Sequence, residues 1–366
     1  MRQFSMLIKP ASSLCNMRCR YCFYHDVASH REAYSHGVMK ERTAQAVIDR
    51  AFEHVGAGPA EITFGFQGGE PAVAGLDFFR AFTAYVREKQ PAGVRVRYAL
   101  QTNGTLLTDE WAAFLSEHDF LVGVSLDGSR EVHDFLRLDK DGRGTYAAVT
   151  RGIRRLDAHG AAYNILAVVT RQMARHPRQV YAALTRAGYR YLQFIPCLRP
   201  REGGDRQPFD LTPRDYAAFL KQTFVLWKAD WERGQPVSVR LFDNLVGMLR
   251  GDPPGQCGLL GRCAMQMVVE ADGSVYPCDF YVLDEYRCGS VLTDSFAAME
   301  ASGPAQAFLS APTPLHPLCG DCRAFPLCGG GCRRTREFFA AEDGYCPYQD
   351  FLYACADDLA ALARRL

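Results

Sequence analysis

Three cysteines stand within one short stretch, Cys15-Asn16-Met17-Arg18-Cys19-Arg20-Tyr21-Cys22, just after the first apolar segment. Thiolates at this spacing let a single loop wrap a metal cluster. A [4Fe-4S] cluster has four irons, so a cysteine triplet leaves one iron without a protein thiolate. As at a catalytic zinc, a missing protein ligand is an open position for chemistry. A zinc site or chance spacing is the plainer alternative. The aromatic Tyr21 before the last cysteine, and the position at a strand's end, favour the open cluster.

The chain has 14 cysteines, and after Cys22 only Cys197 precedes Cys257. The others crowd between Cys257 and Cys355, which implies a second metal-bearing region. A chain of 366 residues can build its core without disulfides, and clustered cysteines in a reducing compartment more often bind metal. Cys319-x2-Cys322-x5-Cys328-x3-Cys332 is a metal signature in its own right, although spacing alone also allows zinc. Gly329-Gly330-Gly331 suits a tightly wrapped loop between two ligands.

The elements that must position these thiols alternate regularly. Apolar runs of strand length fall at Phe4 to Ile8, Ile62 to Phe66, Val94 to Leu100, Phe120 to Leu126, Tyr163 to Val169 and Tyr191 to Ile195. Helical periodicity falls at Glu41 to His54, Leu76 to Glu88, Asp109 to Glu117, Thr145 to Ala158, Pro177 to Ala187 and Pro213 to Trp231. Successive βα units imply a parallel sheet with right-handed crossovers. The expected fold class is therefore α/β, a partial (βα)6 barrel, with a doubly wound open sheet as the alternative.

The cysteine triplet, Gln67-Gly68-Gly69-Glu70-Pro71, Gln101-Thr102-Asn103-Gly104, Ser125-Leu126-Asp127-Gly128, Thr170-Arg171 and Pro196-Cys197-Leu198 all follow strand ends, where such folds assemble active sites. Composition changes near Arg233-Gly234-Gln235-Pro236, so the expected domains are 1–234 and a cysteine-rich 235–366. In the latter, Val268 to Cys278 reads as a hairpin turning at Asp272-Gly273. Asp294 to Phe308 reads as a helix, Pro312 to Pro347 as loop, and Tyr348 to Arg365 as a last helix.

With 42 basic and 41 acidic residues, nothing points to nucleic acid. No segment approaches the roughly 18 apolar residues that span a bilayer, and MRQFSMLIKP has no long apolar run. The expectation is a cytoplasmic protein with no membrane partner. Asn103-Gly104-Thr105 matches a glycosylation acceptor only if the chain is secreted, which nothing else supports.

CxxxCxxC with an aromatic before its last cysteine, after the first strand of a (βα)6 chain, resembles the radical S-adenosylmethionine superfamily. The resemblance implies that S-adenosyl-L-methionine chelates the open iron held by Cys15, Cys19 and Cys22 and yields a 5'-deoxyadenosyl radical on reductive cleavage. Gly68-Gly69-Glu70-Pro71 is similar to the family's GGEP motif, which serves the cofactor. Gln101, Asn103, Ser125 and Asp127 would meet ribose hydroxyls and the methionine carboxylate, with Ser125 and Asp127 the better ribose candidates and Arg137 the carboxylate partner. Taken singly, each is a common turn, cap or surface residue.

From Cys257 onward the pattern is similar to the SPASM-type extension of peptide-modifying radical enzymes. The resemblance implies two further [4Fe-4S] clusters, three in all. Cys257, Cys263, Cys278 and Cys332 would hold one, and Cys319, Cys322, Cys328 and Cys346 the other. Cys197, Cys288 and Cys355 are then left as buried structural thiols, and Arg333, Arg334 and Arg336 as a solvated face. His25, His30, His36 and His133 are read as ordinary polar residues.

The stretches LIKPASSLCNMRCRYCFYH, FGFQGGEPAVAGLDFF, LQTNGTLLTDEWAAFL, FLVGVSLDG and EADGSVYPCDFYVLD resemble the anaerobic sulfatase-maturating enzymes. That family oxidises a cysteine or serine of a sulfatase polypeptide to Cα-formylglycine, without oxygen, through abstraction of a Cβ hydrogen. The resemblance makes Asp279 the base for the thiol or hydroxyl proton. Tyr24 and Gln67 would position the substrate, and a donor such as flavodoxin or ferredoxin would supply electrons. Another SPASM-type chemistry, thioether crosslinking or epimerisation of a ribosomal peptide, is the alternative. A non-enzymatic electron-transfer protein would leave the open triplet unexplained.

Overall fold

The computed structural model describes residues 1–201, 205–312, 314–339 and 344–365. The chain forms two compact units. The first comprises Met1–Ser125, Arg137–Tyr163 and Ala264–Ala311, and the second Leu126–Leu136, Asn164–Cys263 and Pro312–Leu366.

In the first unit, the strands β1 (Arg2–Ile8), β2 (Ala60–Phe66), β3 (Val94–Thr102) and β4 (Phe120–Ser125) lie side by side in that order. All are parallel: Arg2 pairs with Ala60 and Ile8 with Phe66, and β3 continues the register from Val94 opposite Ala60. Parallel neighbours require crossovers, supplied by the helices Glu41–Val55, Leu76–Lys89 and Asp109–Glu117. Their apolar faces meet the sheet through aromatic side chains. Phe64, Phe66, Phe79, Phe82 and Phe120 are all fully buried, with Phe66 and Phe79 ring centroids 4.9 Å apart. Burying each such ring contributes about 1.5–3 kcal/mol.

In the second unit, which takes β5 (Tyr163–Val169) from Asn164 onward, β5, β6 (Tyr191–Pro196) and β7 (Ser238–Val239) are successive parallel neighbours. Helices Pro177–Arg186, Pro213–Glu232, Arg240–Leu249 and Pro347–Arg365 accompany them. Thr212 caps the second of these by accepting a hydrogen bond from the Asp215 N–H, with Pro213 in the first turn, where its missing N–H is no loss.

The segment after Gln266 returns to the first unit. Strand β8 (Val268–Val269) pairs in parallel with β1 at Leu7 and Ile8, β9 (Ser274–Tyr276) pairs antiparallel with β8, and β10 (Gly289–Ser290) with β9. The hairpin is present, but its ladder is shorter than the sequence suggests. The Asp272 carboxylate accepts from Ser274 N, and Gly273 takes φ +93°, so the turn consumes residues otherwise available for pairing.

The helix expected over Asp294 to Phe308 is two helices, Phe296–Glu300 and Gly303–Ser310. Ser302 accepts from Ala305 N and Pro304 sits in the first turn, a start signal that overrides continuous periodicity. Helices Phe23–Ser29, Arg130–Leu136, Arg240–Leu249 and Arg333–Phe339 are additions to the sequence-based expectation. No helix of the described residues is long and apolar enough to cross a membrane.

Gly152, within the helix Tyr146–His159, is set by a close approach. A Cβ there would lie 2.2 Å from the Gly104 carbonyl oxygen. Gly152→Ala should gain about 1 kcal/mol of helix propensity and lose more to overpacking, about 1–3 kcal/mol. A net fall in the midpoint of chemical denaturation is expected; an increase would show that the Gly104 turn yields freely.

Candidate active site and cysteine pockets

The cysteine loop leaves β1 at Ile8 and enters the helix Phe23–Ser29 directly after Cys22. Cys15, Cys19 and Cys22 are all half-buried thiols outside any disulfide on this one loop. The Met17 N–H points at Cys15 Sγ (3.4 Å) and Asn103 Nδ2 lies 3.9 Å from it. Burial pushes the Cys15 thiol up to about 11 even against these donors, so loading a metal there must expel a proton.

The loop after β2 packs on the cysteine loop. Gly69 N–H donates to Ser12 O (2.9 Å) and Glu70 N–H to Leu14 O (2.8 Å). A Cβ on Gly69 would lie 2.1 Å from Leu14 O, and Gly68 has φ +136° with Ser12 O 2.9 Å from any Cβ. The two glycines are thus required first by contact with the cysteine loop. Glu70 is buried, its Oε1 accepting from Ala72 N (3.0 Å) and Thr102 Oγ1 (2.7 Å) and its Oε2 from Asn103 N (2.7 Å). Its carboxylate ties the loop after β2 to the loop after β3. Burial raises its pKa, while these hydrogen bonds oppose the rise.

Asn103 Nδ2 also donates to Asn16 Oδ1 (2.9 Å), which links the β3 loop to the triplet. Gln101 and Ser125 meet across β3 and β4 at 3.4 Å. The Arg137 guanidinium is buried over the Tyr21 ring, 5.4 Å from its centroid. In the first unit Gly68, Gly69, Glu70, Asn103 and Arg137 therefore meet the cysteine loop, while Gln67, Gln101 and Ser125 stand at the ends of β2, β3 and β4. Asp127 belongs to the second unit, where its Oδ1 accepts from Val168 N (2.9 Å) and its own N–H faces His133 Nδ1 (3.3 Å).

Asp279 lies just after Cys278, 7% exposed as a residue. Lys9 Nζ donates to its Oδ1 at 2.5 Å, Gln67 Nε2 donates to its Oδ2, and its own N–H is held by Gln266 Oε1 (3.1 Å). Lys9 is fully buried, with its ammonium 3.8 Å from the centre of the Tyr24 ring. Tyr24 is buried as well, and its hydroxyl donates to Glu270 Oε1. Arg31 Nη1 donates to the same oxygen at 2.6 Å.

Burial pushes the Glu270 carboxyl up, but the charges of Lys9 and Arg31 and hydrogen bonds from Tyr24 and Arg31 hold it below the ordinary value. Burial and the Glu270 charge drive the Tyr24 phenol well above its ordinary value, so it stays neutral. Lys9, Arg31 and Glu270 were not singled out from sequence, although Lys9 and Glu270 stand inside LIKP and EADG. A lone lysine after a strand carries no signal until its partner is known.

In the second unit Cys319, Cys322, Cys328 and Cys346 line one pocket with Phe325 and Arg336. Burial pushes the thiols of Cys319, Cys328 and Cys346 up, Cys328 to about 11, and the neighbouring thiols add to the rise. Cys263 and Cys332 are electrostatic neighbours, and a Cβ on Gly258, next to Cys257, would lie 3.6 Å from Cys332 Cβ. Cys278 is held in the first unit. Among the described residues no three His, Cys, Asp or Glu converge as they would on a single ion. A four-iron cluster spreads its thiolates wider than one ion does, and the four-cysteine pocket fits that demand.

Two arginines expected on a solvated face are instead buried, Arg334 at 6% and Arg336 at 8% exposure. Arg336 donates to Gly330 O (3.0 Å), Gly329 O (3.0 Å) and Gly261 O (3.1 Å), clamping the glycine loop between two cysteines; loop carbonyls that cannot pair with one another demand such a donor. Cys197, Cys288 and Cys355 are buried.

Residues 10–177 match the Radical SAM superfamily, and residues 261–323 match SPASM, an iron-sulfur cluster-binding domain. The cysteine-type anaerobic sulfatase-maturating enzyme of Clostridium novyi is 42% identical over 338 residues, 92% of this chain and 90% of that one. The chain belongs to the anaerobic sulfatase-maturating enzymes. The serine-type enzyme of Klebsiella pneumoniae is 33% identical over 331 residues, 90% of this chain and 81% of that one. The solved structure of anSMEcpe with bound AdoMet and Cp18Cys peptide superposes with a TM-score of 0.91 at 38% identity, covering 99% of each chain. This member of the family is accordingly a radical SAM enzyme of α/β fold with a C-terminal SPASM domain, and iron-sulfur clusters and AdoMet belong to that assignment.

Gly69→Ala should displace the Ser13-Leu14 backbone and with it the cysteine loop. Anaerobically reconstituted variant protein is expected to hold less iron and to unfold at lower temperature than wild type. Wild-type iron content and stability would mean that the loop accommodates the methyl group.

Proposed function

We propose that this enzyme oxidises a cysteine of a sulfatase polypeptide to Cα-formylglycine without molecular oxygen. The higher identity to a cysteine-type relative, 42% against 33% for a serine-type one, supports cysteine over serine. The single observation that carries the chemistry is Asp279. Its carboxylate is held at both oxygens and its side chain is 11% exposed, which leaves a narrow approach for one reacting group.

Cys15, Cys19 and Cys22 would hold the cluster with the open iron. Gly68, Gly69, Glu70, Gln101, Asn103, Ser125, Asp127 and Arg137 would shape the adjoining S-adenosylmethionine site, Glu70 by fixing its loops. When bound, S-adenosylmethionine supplies the radical that removes a hydrogen atom from the substrate Cβ. Asp279 takes the thiol proton as that carbon is oxidised to a thioaldehyde, which water then hydrolyses to the aldehyde with release of hydrogen sulfide. Gln67 and the ring of Tyr24 position the reacting side chain around Asp279.

Cys257, Cys263, Cys278 and Cys332 would hold a second [4Fe-4S] cluster, three in all with that of Cys319, Cys322, Cys328 and Cys346. These clusters would take up the remaining electron. The proposed functional division is 1–234 for the radical chemistry and 235–366 for these two clusters. The enzyme would work in the cytoplasm, with flavodoxin or ferredoxin as reductant.

Mass spectrometry of a cysteine-containing sulfatase-motif peptide after anaerobic turnover is the test. The expected product carries an aldehyde in place of the thiol and reacts with a carbonyl reagent. A peptide that keeps its sulfur in a thioether, or returns with inverted Cα configuration, would replace this function with crosslinking or epimerisation. Asp279→Asn should lower formylglycine formation by about 10²-fold or more.

A further inference from the structure

We infer that Lys9 is a positioning residue for the oxidation: its buried ammonium fixes the Asp279 carboxylate that receives the substrate proton. The inference rests on Asp279 being that base.

The geometry is specific. Lys9 is the first residue beyond β1, and its backbone N–H donates to Val269 O (2.8 Å), which anchors its start. Its side chain is entirely shielded from water and ends 2.5 Å from Asp279 Oδ1. Nζ also sits 3.8 Å from the centre of the Tyr24 ring, within the range at which a ring face attracts a cation. That ring cannot drift, because the Tyr24 hydroxyl is engaged by Glu270 and Glu270 by Arg31. The ammonium is therefore located by the Tyr24 ring and by its own anchored backbone, and through it so is Oδ1.

The fold alone does not require this ion pair as a pair, although removal of Lys9 by itself would leave the Asp279 carboxylate buried without its cation. A buried ion pair can often be exchanged for apolar side chains of similar volume without loss of stability. An apolar pair, however, cannot aim a carboxylate. Asp279 has one oxygen on Lys9 and the other on Gln67, and a carboxylate has about four acceptor positions. Further lone pairs remain for a substrate proton, and their direction is set by the two donors. Without Lys9 the carboxylate would rotate about its Cβ bond, and a proton acceptor displaced from its line loses rate.

Lys9→Met, Asp279→Asn and the double variant are compared in the full-length, anaerobically reconstituted enzyme with a sulfatase-motif peptide. Formylglycine, 5'-deoxyadenosine and iron are measured in each. Lys9→Met should lower kcat for formylglycine by about 10²-fold with a much smaller change in KM, and should lower the ratio of formylglycine to 5'-deoxyadenosine. The double variant should be no slower than Asp279→Asn, since a residue that acts through another adds nothing once that other is gone. Multiplying losses would overturn the inference, and so would a wild-type kcat in Lys9→Met.

Wild-type formylglycine formation in Asp279→Asn would instead overturn the assignment of the base. If Lys9→Met does not fold, Lys9→Gln, which keeps a donor without the charge, takes its place. It should be slower than wild type with iron retained, and a wild-type rate would overturn the inference.

Discussion

Four charged side chains, Lys9, Arg31, Glu270 and Asp279, are withdrawn from water inside the first unit and have to neutralise one another there. An isolated charge so placed would carry a desolvation penalty of several kcal/mol, about 3–5 kcal/mol when one partner of a pair is removed. Two cations and two carboxylates, joined through the ring and hydroxyl of Tyr24, meet that condition. The members come from distant parts of the chain: the end of β1, the segment after the triplet, the turn following β8 and the residue after Cys278. The charge balance thereby fixes the cysteine loop relative to the hairpin of the late segment, within one compact unit.

The same unit solves a second problem, that of holding a loop of thiols in place. Glycine contacts at Gly68 and Gly69 and the buried carboxylate of Glu70 bind the loops after β1, β2 and β3 to one another. The GGEP stretch therefore acts on its neighbours as much as on any ligand. In the second unit Arg336 performs a comparable task, holding the carbonyls of a glycine loop that cannot form regular structure. Dense cysteines and few apolar residues leave such loops dependent on these clamps and on metal.

The regular parts were legible because a single period governs them. Asp109–Glu117 and Tyr163–Val169 occur at the residues their patterns indicate, and the cysteine spacing pointed to the correct family. Less legible were elements whose cause is tertiary. Phe23–Ser29 is a helix of seven residues that sequence leaves as loop, and Val268–Val269 is a strand because β1 offers it an edge. Lys9, Arg31 and Glu270 escaped notice because each is ordinary in isolation and meaningful only with partners 239 to 270 residues away. Arg334 and Arg336 misled in the opposite direction, since a run of arginines reads as solvated when its acceptors are backbone carbonyls that no motif displays.

Turnover of a peptide whose target cysteine carries deuterium at Cβ, compared with one labelled at Cα, tests the account most directly. It predicts deuterium in 5'-deoxyadenosine from the Cβ-labelled peptide and none from the Cα-labelled one, together with formylglycine in the product. Deuterium transferred from Cα, or a product without the aldehyde, would contradict it.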